Sequence, residues 1–158
     1  MNAKMPELKR CFESAGFEDV RTLLSSGNVA FTSKAFKEPV LARRAEAAMQ
    51  DQLGRTFSTI VRSSKHLQTL VADDPFKALP LAPGAKPVVT FLPEVLKSKP
   101  SLPIELEGAC IHALRGLEVL VSYVPNQTGP VFMALLERTF GKSITTRTLD
   151  TVRKCAVA

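Results

Sequence analysis

The chain has 158 residues, 45% of them apolar, and a formal net charge of +6, enough apolar material for one ordinary domain or two small ones. No run reaches the roughly 18 apolar residues of a membrane span, and the opening Met1-Asn2-Ala3-Lys4-Met5-Pro6 lacks the apolar stretch of a secretory leader. Cys11, Cys110 and Cys155 are odd in number, far apart and without metal-ligand spacing, so free thiols in a reducing cytoplasm are expected, with no metal and no cofactor.

The pattern predicts a first helix that Pro6 can start, with Met5, Leu8, Cys11, Phe12 and Ala15 on one stripe and Gly16 as its stop. Two extended runs, 20–25 and 28–32, meet through Ser26-Gly27-Asn28 and read as a hairpin, because glycine and asparagine tolerate positive φ. Pro39 opens a second helix with Leu41, Ala45, Ala48, Met49 and Leu53 inward and Gly54 at its end. Residues 57–62 read as a strand, and a third helix starts at Ser63 or Ser64, either of which can cap it.

Seven of the eleven prolines lie in 73–103, with Pro80-Leu81-Ala82-Pro83-Gly84 the clearest break. That stretch suggests a joint at about 74–87 between a first half, 1–73, and a second, 74–158. Within the second half, 88–92 reads as a strand and 93–99 as a poorly formed helix. Runs 108–114 and 117–124 form a hairpin across Arg115-Gly116. Thr128 and Pro130 begin a helix with Phe132, Leu135, Leu136 and Phe140 inward, stopped by Gly141. A strand at 144–148 and a short helix capped by Asp150 complete the chain.

The halves echo each other. Leu53-Gly54-Arg55-Thr56-Phe57-Ser58 and Phe140-Gly141-Lys142-Ser143-Ile144-Thr145 share one pattern at an offset of 87 positions. The same offset carries Ala45, Ala48, Met49 and Leu53 onto Phe132, Leu135, Leu136 and Phe140. The fold class expected is α+β: two ferredoxin-like β-α-β-β-α-β halves in tandem. The strand at 88–92 has no counterpart in Met1–Met5, so the first half is expected to lack its first strand, which would lie upstream of Met1.

The residues also carry a resemblance. Met5-Pro6-x-Leu8, Gly16-Phe17-x-x-Val20-Arg21-Thr22 and Ser26-Gly27-Asn28-Val29-x-Phe31, with Ala134-Leu135-Leu136-Glu137-Arg138, Thr145-Thr146-Arg147 and Thr151-Val152-Arg153-Lys154, resemble the bacterial family of domain of unknown function 1697. The resemblance runs from Met5 to Lys154 and implies a duplicated ferredoxin-like arrangement. It also implies an opening apolar strand and an Arg-Gly-Ile-Asn-type loop, which this chain lacks. The family's activity is unassigned, so no catalytic residue is carried over. Family members have an Asn-Trp-Asn-like stretch where this chain has Thr148-Leu149-Asp150, and a Gly-x-x-Arg-Ser-Lys-like helix entry at Gly129-Pro130-Val131-Phe132.

Chemistry is sparse. Gly141-Lys142-Ser143 has Leu136 where a Walker A loop needs its first glycine, and it runs from helix to strand, so it is a helix stop. Cys110 and His112 alternate onto one strand face; two residues without a third ligand make no metal site, and they read as a buried or half-buried pair. No catalytic set assembles. From Arg138 onward five bases face one acid, Asp150, which accounts for +4 of the +6. Within that segment Thr145, Thr146, Arg147, Arg153 and Lys154 are the expected ligand-binding residues, suited to an anionic small molecule. Asp150 at the helix start opposes them. A nucleic acid on the same basic surface is the alternative partner, although the interleaved aromatics of an RNA-stacking sheet are absent. An enzyme of unrecognised type is the further alternative, which a closed polar pocket between the halves would favour.

Overall fold

The computed structural model describes residues 3–34, 37–125 and 129–158, with the side chains of residues 129 and 130 left aside. Among these it is a mixed α+β protein with five helices and two sheets. Its residues cluster into two compact units, Met1–Leu67 with Lys154–Ala158, and Gln68–Arg153.

The first unit begins with α1 (Met5–Ser14), which has a proline in its first turn and buries Leu8, Cys11 and Phe12. Gly16 follows at φ +93°, a conformation that glycine reaches without Cβ strain. The hairpin of β1 (Glu18–Leu23) and β2 (Asn28–Thr32) is antiparallel and closes on the Leu23–Asn28 pair. Asn28 is buried, and its amide donates to the Leu23 carbonyl at 3.1 Å and the Ser26 hydroxyl at 2.9 Å. Helix α2 (Glu38–Leu53) buries Leu41, Ala42, Ala45 and Met49. It ends where Gly54, at φ +72°, donates its N–H to Gln50 O. Phe17 and Phe31 stack at 4.2 Å. The Arg44 guanidinium lies 4.6 Å over the Phe17 ring and donates to Ala15 O at 2.6 Å. Helix α3 (Ser64–Ala72) starts as expected, with Ser63 Oγ accepting from His66 N at 3.1 Å.

One expectation fails here. Residues 57–62 form no strand. The β propensity is present, but a strand needs a neighbour to take its backbone groups. Among the described residues none pairs with this segment. Thr59 N–H is instead held by the Glu46 carboxylate at 3.3 Å.

The second unit is built on β3 (Lys86–Phe91), β4 (Ile104–Leu106), β5 (Ala109–Arg115), β6 (Glu118–Tyr123) and β7 (Thr145–Thr148), in the order β4-β5-β6-β3-β7. Every adjacent pair is antiparallel. Helix α4 (Gly129–Phe140) connects β6 to β7, and α5 (Leu149–Ala156) ends the chain. Thr128, the expected cap of α4, lies outside the described residues.

The expected helix at 93–99 is absent, and the strand β4 follows instead. Val95 is 75% exposed and only Leu96 of the segment packs on the core, too little for an apolar stripe, and Pro93 and Pro100 bracket it. One sheet face carries Val88, Leu92, Ala109, Ile111, Val119 and Val121, packed against Phe132, Leu135 and Leu136 of α4. Gly141, at φ +89°, stops α4 by donating to Glu137 O at 2.8 Å.

Two substitutions test this account. Leu136→Ala, at a position with no exposed surface, should cost about 2–5 kcal/mol in denaturant unfolding. Gly16→Ala should cost about 1–2 kcal/mol, because the positive φ is strained and the new Cβ would meet Arg44 Nη2 at 3.0 Å.

Candidate functional site

The basic segment singled out by charge folds as the edge strand β7 followed by α5. Alternate residues of a strand point to opposite faces. Thr146 Oγ1 therefore meets Thr90 Oγ1 of the neighbouring strand at 3.1 Å, while Thr145 and Arg147 share the other face. Arg147 Nη1 also donates to the Thr146 carbonyl at 2.8 Å.

The helix start differs from expectation. Thr148, rather than Asp150, caps α5: its Oγ1 accepts from Thr151 N at 3.3 Å and donates to Thr151 Oγ1 at 3.1 Å. The helix begins at Leu149, directly after the strand, which puts the Thr148 hydroxyl in the capping position. Asp150 is consequently a first-turn acid, paired with Arg153 at 3.0 Å in an exposed i,i+3 contact. Lys154 is exposed.

A second cluster lies on the face of β5 and β6 turned away from the α4 core. Cys110 Sγ is 3.3 Å from His112 Nδ1, and His112 Nε2 is 2.7 Å from Ser122 Oγ. The Glu105 carboxylate stands 4.0 Å from the thiol. His112 occupies a β-bulge: the register passes from the Ile111–Val121 pair to the Ala113–Leu120 pair and leaves it without a cross-strand partner. A bulge re-aims the side chain it carries. Cys110 and Ser122 are a cross-strand pair, so the imidazole sits between them.

Burial sets the protonation of this cluster. It pushes the Cys110 thiol up, with the Glu105 charge adding to the effect. It pushes the His112 imidazole down, with Glu105 partly offsetting it. Both groups are therefore held toward their neutral forms. Burial therefore disfavours the thiolate–imidazolium form of an activated nucleophile at this contact. Among the described residues no group of three His, Cys, Asp or Glu side chains is arranged to hold a metal ion. The alternation of Cys110 and His112 was visible in the sequence. Ser122 and Glu105 join them only through strand register.

The pH response follows from the sign of the His112 shift. The folded imidazole binds its proton more weakly than the unfolded one, whose ordinary value is 6.5. Stability is thus full above that value and falls as the pH drops below it. The melting temperature should decline between pH 7 and pH 5 in the parent, and more shallowly in His112→Gln. Alkylation of Cys110 should still be accelerating above pH 9, which peptide mapping of iodoacetamide adducts would check.

No curated protein matches the chain. The solved structure of the conserved bacterial protein SP0830 from Streptococcus pneumoniae is similar in fold, with a TM-score of 0.71 at 21% identity over 99% of this chain and 88% of that one. No described helix is long and apolar enough to cross a membrane. The profile of DUF1697, a protein family of unknown function, matches residues 1–107, and with that match covering most of its length the chain belongs to the DUF1697 family.

Proposed function

We propose that this protein is a non-catalytic module that binds an anionic small molecule through its basic C-terminal segment, with Thr145, Arg147 and Arg153 as the principal groups. The observation that supports this most is the charge balance from Arg138 onward, five bases against one acid. That one acid, Asp150, is engaged by Arg153 in an exposed pair, and such pairs contribute only about 0.3–0.5 kcal/mol. So weak a pair leaves the Arg153 guanidinium open to an incoming phosphate, which it can bind by charge-assisted, bidentate hydrogen bonds. Burial that disfavours the charged forms of Cys110 and His112 supports the same reading, since covalent catalysis needs a thiolate.

Three finer readings accompany the proposal. In the second unit β3, its first strand, lies between β6 and β7, an order that supports a ferredoxin-like reading with its first helix replaced by the proline-rich stretch. The matching glycine stops at Gly54 and Gly141 support a duplication dividing the chain near Asp73–Asp74, with 74–87 as the joint. The three free cysteines support a cytoplasmic setting.

A thermal-shift screen over nucleotides and phosphorylated metabolites tests the function. At least one anion should raise the melting temperature of the parent, and the double variant Arg147→Glu/Arg153→Glu should abolish that shift. Unchanged binding in the double variant would refute the site. Oligonucleotide binding that weakens steeply with added salt would favour the nucleic-acid reading instead.

A further inference from the structure

On the face of β5 and β6 turned away from α4, a thiol and an imidazole meet with a geometry that suits more than a hydrogen bond. Cys110 Sγ stands 3.3 Å from His112 Nδ1, and His112 Nε2 lies 2.7 Å from Ser122 Oγ. His112 and Ser122 are buried, at 8% and 3% exposure, whereas Cys110 is only half-buried and stays open to small solutes. The β-bulge that leaves His112 without a cross-strand partner points its ring at the thiol. In the tautomer whose Nε2 proton goes to the Ser122 hydroxyl, the Nδ1 lone pair faces sulfur. A metal-bound histidine is held in the same way, with its outer N–H on a fixed oxygen.

The donor set decides which ion fits. Among the described residues no group of three His, Cys, Asp or Glu is arranged around a metal, and the Glu105 carboxylate stays 4.0 Å from the thiol. Zn²⁺ takes four ligands and Mg²⁺ or Ca²⁺ six or more, which is more than this pair offers. A thiolate beside a neutral imidazole suits a soft cation such as Cu(I), which is stable with two or three ligands. Bonds of roughly 2.3 Å to sulfur and 2.0 Å to nitrogen, meeting at about 120°, span about 3.7 Å. The observed gap of 3.3 Å therefore has to open only slightly.

We propose that Cys110 and His112 form a binding site for one soft monovalent cation of the Cu(I) type, with Ser122 holding the imidazole and a third position open to solvent. On binding, S–Cu and N–Cu bonds form, the S–H bond breaks, its proton goes to solvent, and copper keeps its oxidation state. The nearby Glu105 charge offsets part of the charge brought in. Burial lowers the imidazole, which keeps it in its ligand form, and raises the thiol, so uptake should strengthen with pH. The inference goes beyond the anion site and shares no residue with it.

The probe is Cu(I) itself, titrated anaerobically against a colorimetric chelator while Cys110 and Cys155 are followed by iodoacetamide mapping. One equivalent should bind, release one proton, block alkylation of Cys110 and leave Cys155 reactive. Affinity should fall more than tenfold in His112→Gln and about tenfold in Ser122→Ala. The inference is overturned if Cys110 and Cys155 are protected alike, if His112→Gln binds as the parent does, or if an equal concentration of Zn²⁺ displaces the copper. The alkylation pattern is read on the parent, so an unstable variant does not shelter the inference from refutation. Arg147→Glu/Arg153→Glu should bind Cu(I) as the parent does, which keeps failure of the anion site separate from failure of this one.

Discussion

A central strand must find partners for backbone groups along two edges, and β3 is where this chain meets that demand. It pairs with β6 on one side and β7 on the other. That double ladder allows Thr90, with no exposed surface, to sit mid-sheet with its hydroxyl satisfied by Thr146. Unpaired, the same buried polar atoms would cost more than the surrounding apolar contacts return. The helix α4 then has a continuous apolar face to cover, and the position of β7 sets where α5 begins.

The first unit shows the same constraint from the other side. Its hairpin, two long helices and aromatic cluster of Phe12, Phe17 and Phe31 form a core without a central strand among the described residues. The residues with strand propensity at 57–62 therefore stay outside any described ladder, with Thr59 N–H donating to the Glu46 carboxylate and, just before them, the Thr56 hydroxyl donating to the Glu46 carbonyl. Polar groups elsewhere are handled locally. Asn28 bonds back onto its own hairpin, and Arg44 closes the Ala15 carbonyl while stacking on Phe17. The His112 bulge is the main departure from regular structure in the larger sheet, and it brings a thiol, an imidazole and a hydroxyl into one chain of contacts. Desolvation disfavours the charged forms of its thiol and imidazole.

Much of this was legible residue by residue. The stripes Leu41, Ala45, Met49 and Phe132, Leu135, Leu136 are buried as their spacing requires, because a helix repeats its inner face every three or four residues whatever lies opposite. Gly54 and Gly141 end their helices because glycine alone reaches that backbone conformation without strain. Both hairpins formed near their predicted turns. The candidate site was less legible. Thr145, Thr146 and Arg147 looked like a single polar run, yet strand geometry sends Thr146 to one face and its neighbours to the other. Thr148 displaced Asp150 as the cap because strand and helix abut. Ser122 and Glu105 reach Cys110 and His112 only through pairing across strands.

Local interactions explain the division. The amino-acid sequence by itself determined the helices, their glycine stops, the turns, the internal echo and the basic C-terminal segment, since each depends on residues a few positions apart or on composition. Only the tertiary structure decided whether 57–62 became a strand, that 104–106 did, and that a bulge would turn His112 between Cys110 and Ser122. Each of those outcomes depends on backbone partners distant in the chain, and a residue's own propensity carries no record of whether a partner will be there.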